Sequence, residues 1–278
     1  MKTLSGISQI LFNRFYCIFR TLPCVFCTLA IASSVSAQEP DNAMLKYGLN
    51  FLKTPYVAHT LEVNEEEKLV VNFDEVDCTT FVEYVLALAL SPVKNGTIDN
   101  ADYARTLQSI QMIRYRDGKI NGYTSRLHYI ADWVNNGVRH GFMKDITAAN
   151  SPDTVRLSLN FMSAHSKAYK HLESSPENIS KIEEIEKSLS GQLFHYIPKN
   201  KLPDEGFGWI KDGDIIAITT NIPGLDVVHL GLACYEKGVL KLLHASSTQK
   251  MVVVSQEPLA QMLKRNKKFT GIRVLRIK

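Results

Sequence analysis

Five short β-branched runs near the C-terminus limit the fold more than any other feature: Asp214–Thr220, Val227–Cys234, Val239–His244, Met251–Ser255 and Ile272–Ile277. Turn signals separate them, and the links among the first four are too short for the crossover helix that parallel neighbours require. Antiparallel pairing follows. Upstream of Gly208 the pattern is different. Apolar residues recur at helical spacing over Asp41–Leu52, Thr79–Leu90, 101–116, 154–172 and 176–189. The last of these has Pro176 near its start and Gly191 just past its end, the asymmetry of a helix. A helix-rich N-terminal part followed by an antiparallel sheet is an α+β domain.

The first 37 residues are set apart by chemistry. Lys2, Arg14 and Arg20 form a positive region without acidic residues, Leu22 to Ala32 is apolar, and Val35 and Ala37 are small residues placed for cleavage before Gln38. This is the pattern of a signal peptide, with an uncleaved anchor as the competing reading. The apolar run falls short of the roughly 20 residues that span a bilayer. Removing the three leader cations from the chain's 32 basic residues leaves 29 against 28 acidic ones. That balance gives no reason to expect nucleic-acid binding, and the basic string Lys264-Arg265-Asn266-Lys267-Lys268 reads as a solvated helix end. The acidic run Glu65-Glu66-Glu67 likewise reads as surface. No later segment is apolar enough to cross a membrane, so residues 38–278 are expected to form one exported domain, with a helical insertion at about 101–190.

Of the five cysteines, only Cys78 and Cys234 lie beyond the leader. Cys234 ends an apolar strand while Cys78 opens a helix behind the N-cap candidate Asp77, so a reactive thiol is favoured over a disulfide. Free N–H groups and the helix dipole at a first turn stabilise a thiolate and can hold an oxyanion. Such a nucleophile needs a base that is close in space. Here a strand hairpin supplies two candidates. If Glu236 and Lys237 form its loop, Tyr235 pairs with Gly238 and His229 stands directly opposite His244. Opposed residues share a face, with Cβ atoms roughly 4.5–5.5 Å apart. A zinc site built on Cys78 and the two histidines is the competing reading, although no CxxC or HExxH spacing supports it. No cofactor is indicated.

The strings Asp77-Cys78-Thr79, Gly213-Asp214, His229-Leu230-Gly231 and His244-Ala245-Ser246 resemble the NlpC/P60 cysteine peptidases. Thr80 replaces the glycine usual after that cysteine motif. Together with Pro55-Tyr56-Val57-Ala58, Arg126-Leu127-His128-Tyr129, Asn160-Phe161-Met162-Ser163 and Gly224-Leu225-Asp226, this departure is similar to the subgroup known as DUF1460, described as N-acetylmuramoyl-L-alanine amidase-like. The resemblance runs from about Tyr47 to the C-terminus. It implies a papain-like fold, Cys78 as nucleophile, His229 as general base, His244 as the residue that orients His229, and Tyr56 close to the nucleophile. His59 stands where the family usually has a small residue.

The resemblance further implies peptidoglycan fragments (muropeptides) as substrate, cleaved between N-acetylmuramic acid and L-alanine in the periplasm or outside the cell. Cleavage within the stem peptide, acyl transfer by the same fold, and a non-catalytic protein with a relic triad are the alternatives. Arg126 suits a substrate carboxylate, though a structural salt bridge explains it equally well. Tyr129, at helical spacing from Trp133, is either a sugar platform or core.

Overall fold

The computed structural model describes residues 42–92 and 100–278, so the leader reading falls outside the described residues. The helices are α1 (Ala43–Asn50), α2 (Cys78–Leu90), α3 (Asn100–Arg114), α4 (Ile130–Arg139), the short α5 (Phe161–Ala164) and α6 (Lys170–Glu173), α7 (Pro176–Leu189) and α8 (Leu259–Arg265). The strands are β1 (Met143–Asp145), β2 (Thr154–Arg156), β3 (Leu193–His195), β4 (Ile197–Pro198), β5 (Ile215–Thr220), β6 (Val227–Glu236), β7 (Val239–Ser246), β8 (Met251–Val254) and β9 (Phe269–Ile277). None of the described helices is long and apolar enough to cross a membrane.

The protein is α+β, built on a seven-stranded sheet of order β1-β9-β5-β6-β7-β8 in which β4 also pairs with β9. Every pairing is antiparallel. Alternation along the strands makes two apolar faces. Ala217, Leu230, Leu232 and Leu243 pack under α2, while Ile216, Ile218, Ala233 and Leu242 pack under Leu259 and Leu263 of α8. Because α2 is held between α1, α3 and the sheet, all its residues from Thr80 to Leu88 are buried. A helix apolar on every side has this fate. Glu83 is the exception in character, and Arg114 of α3 answers it with Nε 2.7 Å from Glu83 Oε2.

Three expectations are corrected. The stretch 154–172 is not one helix but β2, a turn and two short helices. Leu157 and Leu159, two positions apart, are both buried, which is extended spacing, and the N–H groups of Asn160 and Phe161 are bound by the Gly224 carbonyl. The acidic run is not wholly surface either, because the Glu67 side chain turns inward to Arg126 and Tyr115. Finally, the β6–β7 hairpin turns on Lys237 and Gly238, with φ of 52° and 81°, and Glu236 pairs with Val239. Positive φ at both central residues matches the right-handed strand twist, and glycine at the second position favours this pair over Glu236-Lys237. The register is therefore displaced by two residues from direct opposition of the histidines. A two-residue slip keeps side chains on the same face, whereas a one-residue slip would not.

Candidate active site

Cys78 is the first residue of α2, and Asp77 caps the helix in front of it. Asp77 Oδ1 accepts from the N–H groups of Thr79 at 3.0 Å and Thr80 at 2.8 Å, and Thr80 Oγ1 accepts from the Asp77 N–H at 2.9 Å. This reciprocal capping box gives Thr80, the departure from the glycine pattern, a physical role. The half-buried Cys78 sulfur is met by the backbone N–H of Leu230, the residue that follows His229. The ordered β6–β7 ladder stops at Leu232 and Leu243, so the nucleophile's helix addresses β6 where its neighbour no longer pairs with it.

The expected thiolate stabilisation is outweighed. Burial first, and then the Asp77 carboxylate, push the Cys78 thiol up to about 11 against smaller opposing effects of the Leu230 N–H and the Thr79 hydroxyl. A helix end alone favours thiolate, but desolvation and the charge of the helix's own cap prevail over it. Cys78 rests as a thiol. Cys234 is also free and buried, so the two form no disulfide.

His229 Nε2 lies 2.7 Å from His244 Nδ1, with the rings nearly perpendicular at 88°. Side-chain reach spans the diagonal that the corrected register leaves between them. A β-bulge precedes His229: Ile218 pairs with His229 and Thr219 with Val227, leaving Val228 without an opposite residue. Such bulges re-aim the neighbouring side chain. Burial lowers His229 to about 3, helped by His244, and lowers His244 to about 4. Both rings are neutral at neutral pH. One imidazole therefore donates to the other, and a neutral His229 retains a ring nitrogen able to accept a proton.

The remaining candidates divide. Tyr56 is beside the nucleophile: after burial, the charges of Cys78 and Asp77 are what raise its hydroxyl. Its backbone is pinned to the sheet edge through the Lys250 carbonyl at 2.9 Å. Arg126 and Tyr129 are committed elsewhere. Arg126 is buried, with Nη1 2.6 Å from Glu62 Oε1 and Nη2 2.6 Å from Glu67 Oε2, so the structural alternative describes it and its guanidinium is not open to a substrate carboxylate. The Tyr129 hydroxyl donates to Glu186 at 2.6 Å inside a separate cluster with Leu159, Met162 and Leu189. His59 adopts φ of 62°, a left-handed backbone conformation that favours glycine, and it lines a pocket of roughly 280 Å³ with Glu62 and Tyr169.

Asp226 is a positioning group that sequence reasoning misses. It is buried, accepts from the Ala131 N–H at 2.6 Å and thereby caps α4, whose own N-cap residue Tyr129 gives no side-chain bond. This cap fixes the start of β6 three residues before His229. A lone carboxylate between leucine and valine is the available signal. Among the described residues, no three His, Cys, Asp or Glu side chains are grouped as metal ligands.

Comparison with known proteins agrees with the extent of this framework. Residues 46–272 match the AmiA-like family model, described as N-acetylmuramoyl-L-alanine amidase-like. A Bacteroides uniformis protein whose structure is named an N-acetylmuramoyl-L-alanine amidase is 61% identical, with a TM-score of 0.83 over 85% of this chain and 99% of that one. A Bacteroides fragilis structure named a putative xylanase is 57% identical, with a TM-score of 0.80 over 84% of this chain and 99% of that one. A Legionella pneumophila DUF1460 protein shares the fold at 22% identity and a TM-score of 0.64, covering 85% of this chain and 88% of that one. No curated protein matches the chain.

Proposed function

Because the chain belongs to the AmiA-like, N-acetylmuramoyl-L-alanine amidase-like family, we propose that it is a cysteine amidase acting on peptidoglycan fragments. The bond cleaved is the amide between the lactyl group of N-acetylmuramic acid and L-alanine. The single observation that carries the reading is the junction at β6: Cys78 Sγ lies beside the Leu230 N–H while the adjacent His229 is held by His244 at 2.7 Å. Tyr56 completes the group. The same reading assigns residues 38–278 to one catalytic domain of the NlpC/P60 class with a papain-like arrangement. The leader makes it exported, to the periplasm or beyond.

The chemistry follows from the resting charges. Cys78 is a thiol and His229 a neutral imidazole, so the proton moves as the sulfur attacks rather than before. His229 takes the Sγ proton through Nδ1 while its Nε2–H donates to His244 Nδ1, which fixes the tautomer that leaves Nδ1 free. The sulfur adds to the lactyl carbonyl carbon, and the developing oxyanion is met by the Cys78 N–H at the start of α2, since the Thr79 and Thr80 N–H groups are taken by Asp77. Collapse breaks the C–N bond, and His229 returns the proton to the leaving amine. Water then attacks the thioester, gives one proton to His229 and releases the acid, and the proton returns to sulfur.

The test is digestion of a purified muropeptide by the wild type and by Cys78→Ala, with products separated by chromatography. The reading expects an intact stem peptide from the wild type and none from the variant, whose folding is checked by circular dichroism. Turnover by Cys78→Ala would end the cysteine mechanism. Fragments of the stem peptide would instead favour an endopeptidase. For export, the mature protein is expected to begin at Gln38.

A further inference from the structure

A groove of roughly 700 Å³ opens on His229 and His244 and runs out between the β7–β8 turn and the C-terminal end of α8. Its walls are mostly uncharged hydrogen-bonding side chains such as Gln249, with three charged residues, Glu257, Arg265 and Lys267. Two of these cancel, since Arg265 Nη2 is 2.5 Å from Glu257 Oε1. The Lys267 ammonium makes no ion pair with any described residue. It is nevertheless mounted on a fixed loop. The Lys267 carbonyl accepts from Asn221 Nδ2 at 3.3 Å, and the Lys268 carbonyl accepts from the Asn221 N–H at 3.0 Å and Thr220 Oγ1 at 2.9 Å. The groove thus carries one uncompensated positive charge beside neutral histidines.

The proposed chemistry gives this groove a direction. His229 must protonate the leaving amine, so the amine half of the substrate departs on the His229 side. In the intact substrate the lactyl carboxyl is tied up in the amide, and the carboxylates belong to the peptide. A cationic groove that begins at the general acid therefore suits the peptide half. Resting on the amidase reading, we infer that this groove is the subsite for the leaving peptide and that Lys267 receives one of its carboxylates. Its ligand is an acidic peptide held by one ammonium and a wall of amides and hydroxyls. The Glu257–Arg265 pair keeps the second cation neutralised and so limits how strongly acidic peptides are held.

The experiment compares muropeptides whose stem carboxylates are free with counterparts in which they are amidated. For Lys267→Gln, KM for the acidic substrate should rise about threefold to fivefold with little change in kcat, the scale of a solvent-accessible ion pair. The amidated substrate should not respond. Glu257→Gln, which releases Arg265, should lower KM for the acidic substrate, and raising the salt concentration should erase both effects. The control Lys187→Gln, an exposed position on α7 outside the groove, should do neither. Unchanged KM in Lys267→Gln, or an equal loss on both substrates, overturns the assignment. Calorimetry on Cys78→Ala separates this inference from the cleavage reading. Salt-sensitive binding of the free acidic stem peptide, lost when Lys267→Gln is added, supports the groove even if the wild type cuts a different bond. Binding of N-acetylmuramic acid alone through Lys267 would overturn it.

Discussion

Asp77 does two things at once, and two substitutions separate them. Its carboxylate caps α2 through the Thr79 and Thr80 N–H groups, at 3.0 and 2.8 Å, and its charge raises the Cys78 thiol. Asparagine caps about as well as aspartate, while alanine forfeits the cap at a cost of about 0.5–2 kcal/mol. For a domain of this size each kcal/mol lowers the melting temperature by about 2–4 °C, so Asp77→Ala should melt about 1–8 °C lower and Asp77→Asn close to the wild type. The thiol responds to charge alone. With Cys78 pushed up to about 11, only a small thiolate fraction exists at pH 8, and removing the negative neighbour enlarges it. Each unit of fall multiplies that fraction tenfold, while nucleophilicity drops with a Brønsted slope of about 0.4–0.5, leaving a net gain of about threefold. Alkylation by iodoacetamide, followed by intact-protein mass, should thus be faster in Asp77→Asn than in the wild type, with Cys234 buried as an internal reference. Slower alkylation in Asp77→Asn, or equal melting of Asp77→Ala and the wild type, would refute this account of the helix start.

Two other outcomes follow from buried charge. Arg114→Met should destabilise by about 3–5 kcal/mol in urea unfolding, because it strands Glu83 inside α2 without its partner, and a loss under about 1 kcal/mol would contradict the pairing. His128 is lowered to about 3, chiefly by burial and then by Arg126, while in the unfolded chain it titrates near the ordinary value of about 6.5. Between those values only the unfolded state takes the proton, so the stability this residue lends is complete above that ordinary value and falls as the pH drops toward the folded one. His128→Gln should therefore flatten the slope of stability against pH, measured near pH 5, by up to about 1.4 kcal/mol per pH unit. An unchanged slope in that variant would contradict the buried, neutral state of the ring.

Much of the sheet was legible because its signals are local. Alternating β-branched runs marked β5 to β9 to within a few residues, and Pro176 with Gly191 bounded α7. Asp77 before an apolar run marked the start of α2 for the same reason. What the sequence hid depends on partners distant along the chain. The helical spacing of 154–172 was overridden by pairing of β2 with β3 and by the Gly224 carbonyl. Arg126 suited a substrate carboxylate and a structural salt bridge equally until Glu62 and Glu67, at separations of 64 and 59 positions, were brought against it. The histidine pair was legible for a partly wrong reason: the shared face survived because the register error was two residues, while direct opposition did not. The thiol's direction was hidden because burial is a property of the packed chain and not of a helix end alone.

The most direct test of the central claim is the fate of the oxygen added during cleavage. A muropeptide digested in water enriched in oxygen-18 and analysed by mass spectrometry should give a label in the lactyl carboxyl of N-acetylmuramic acid and an unlabelled stem peptide with a free alanine amine. Label in a carboxyl within the stem peptide would contradict the account.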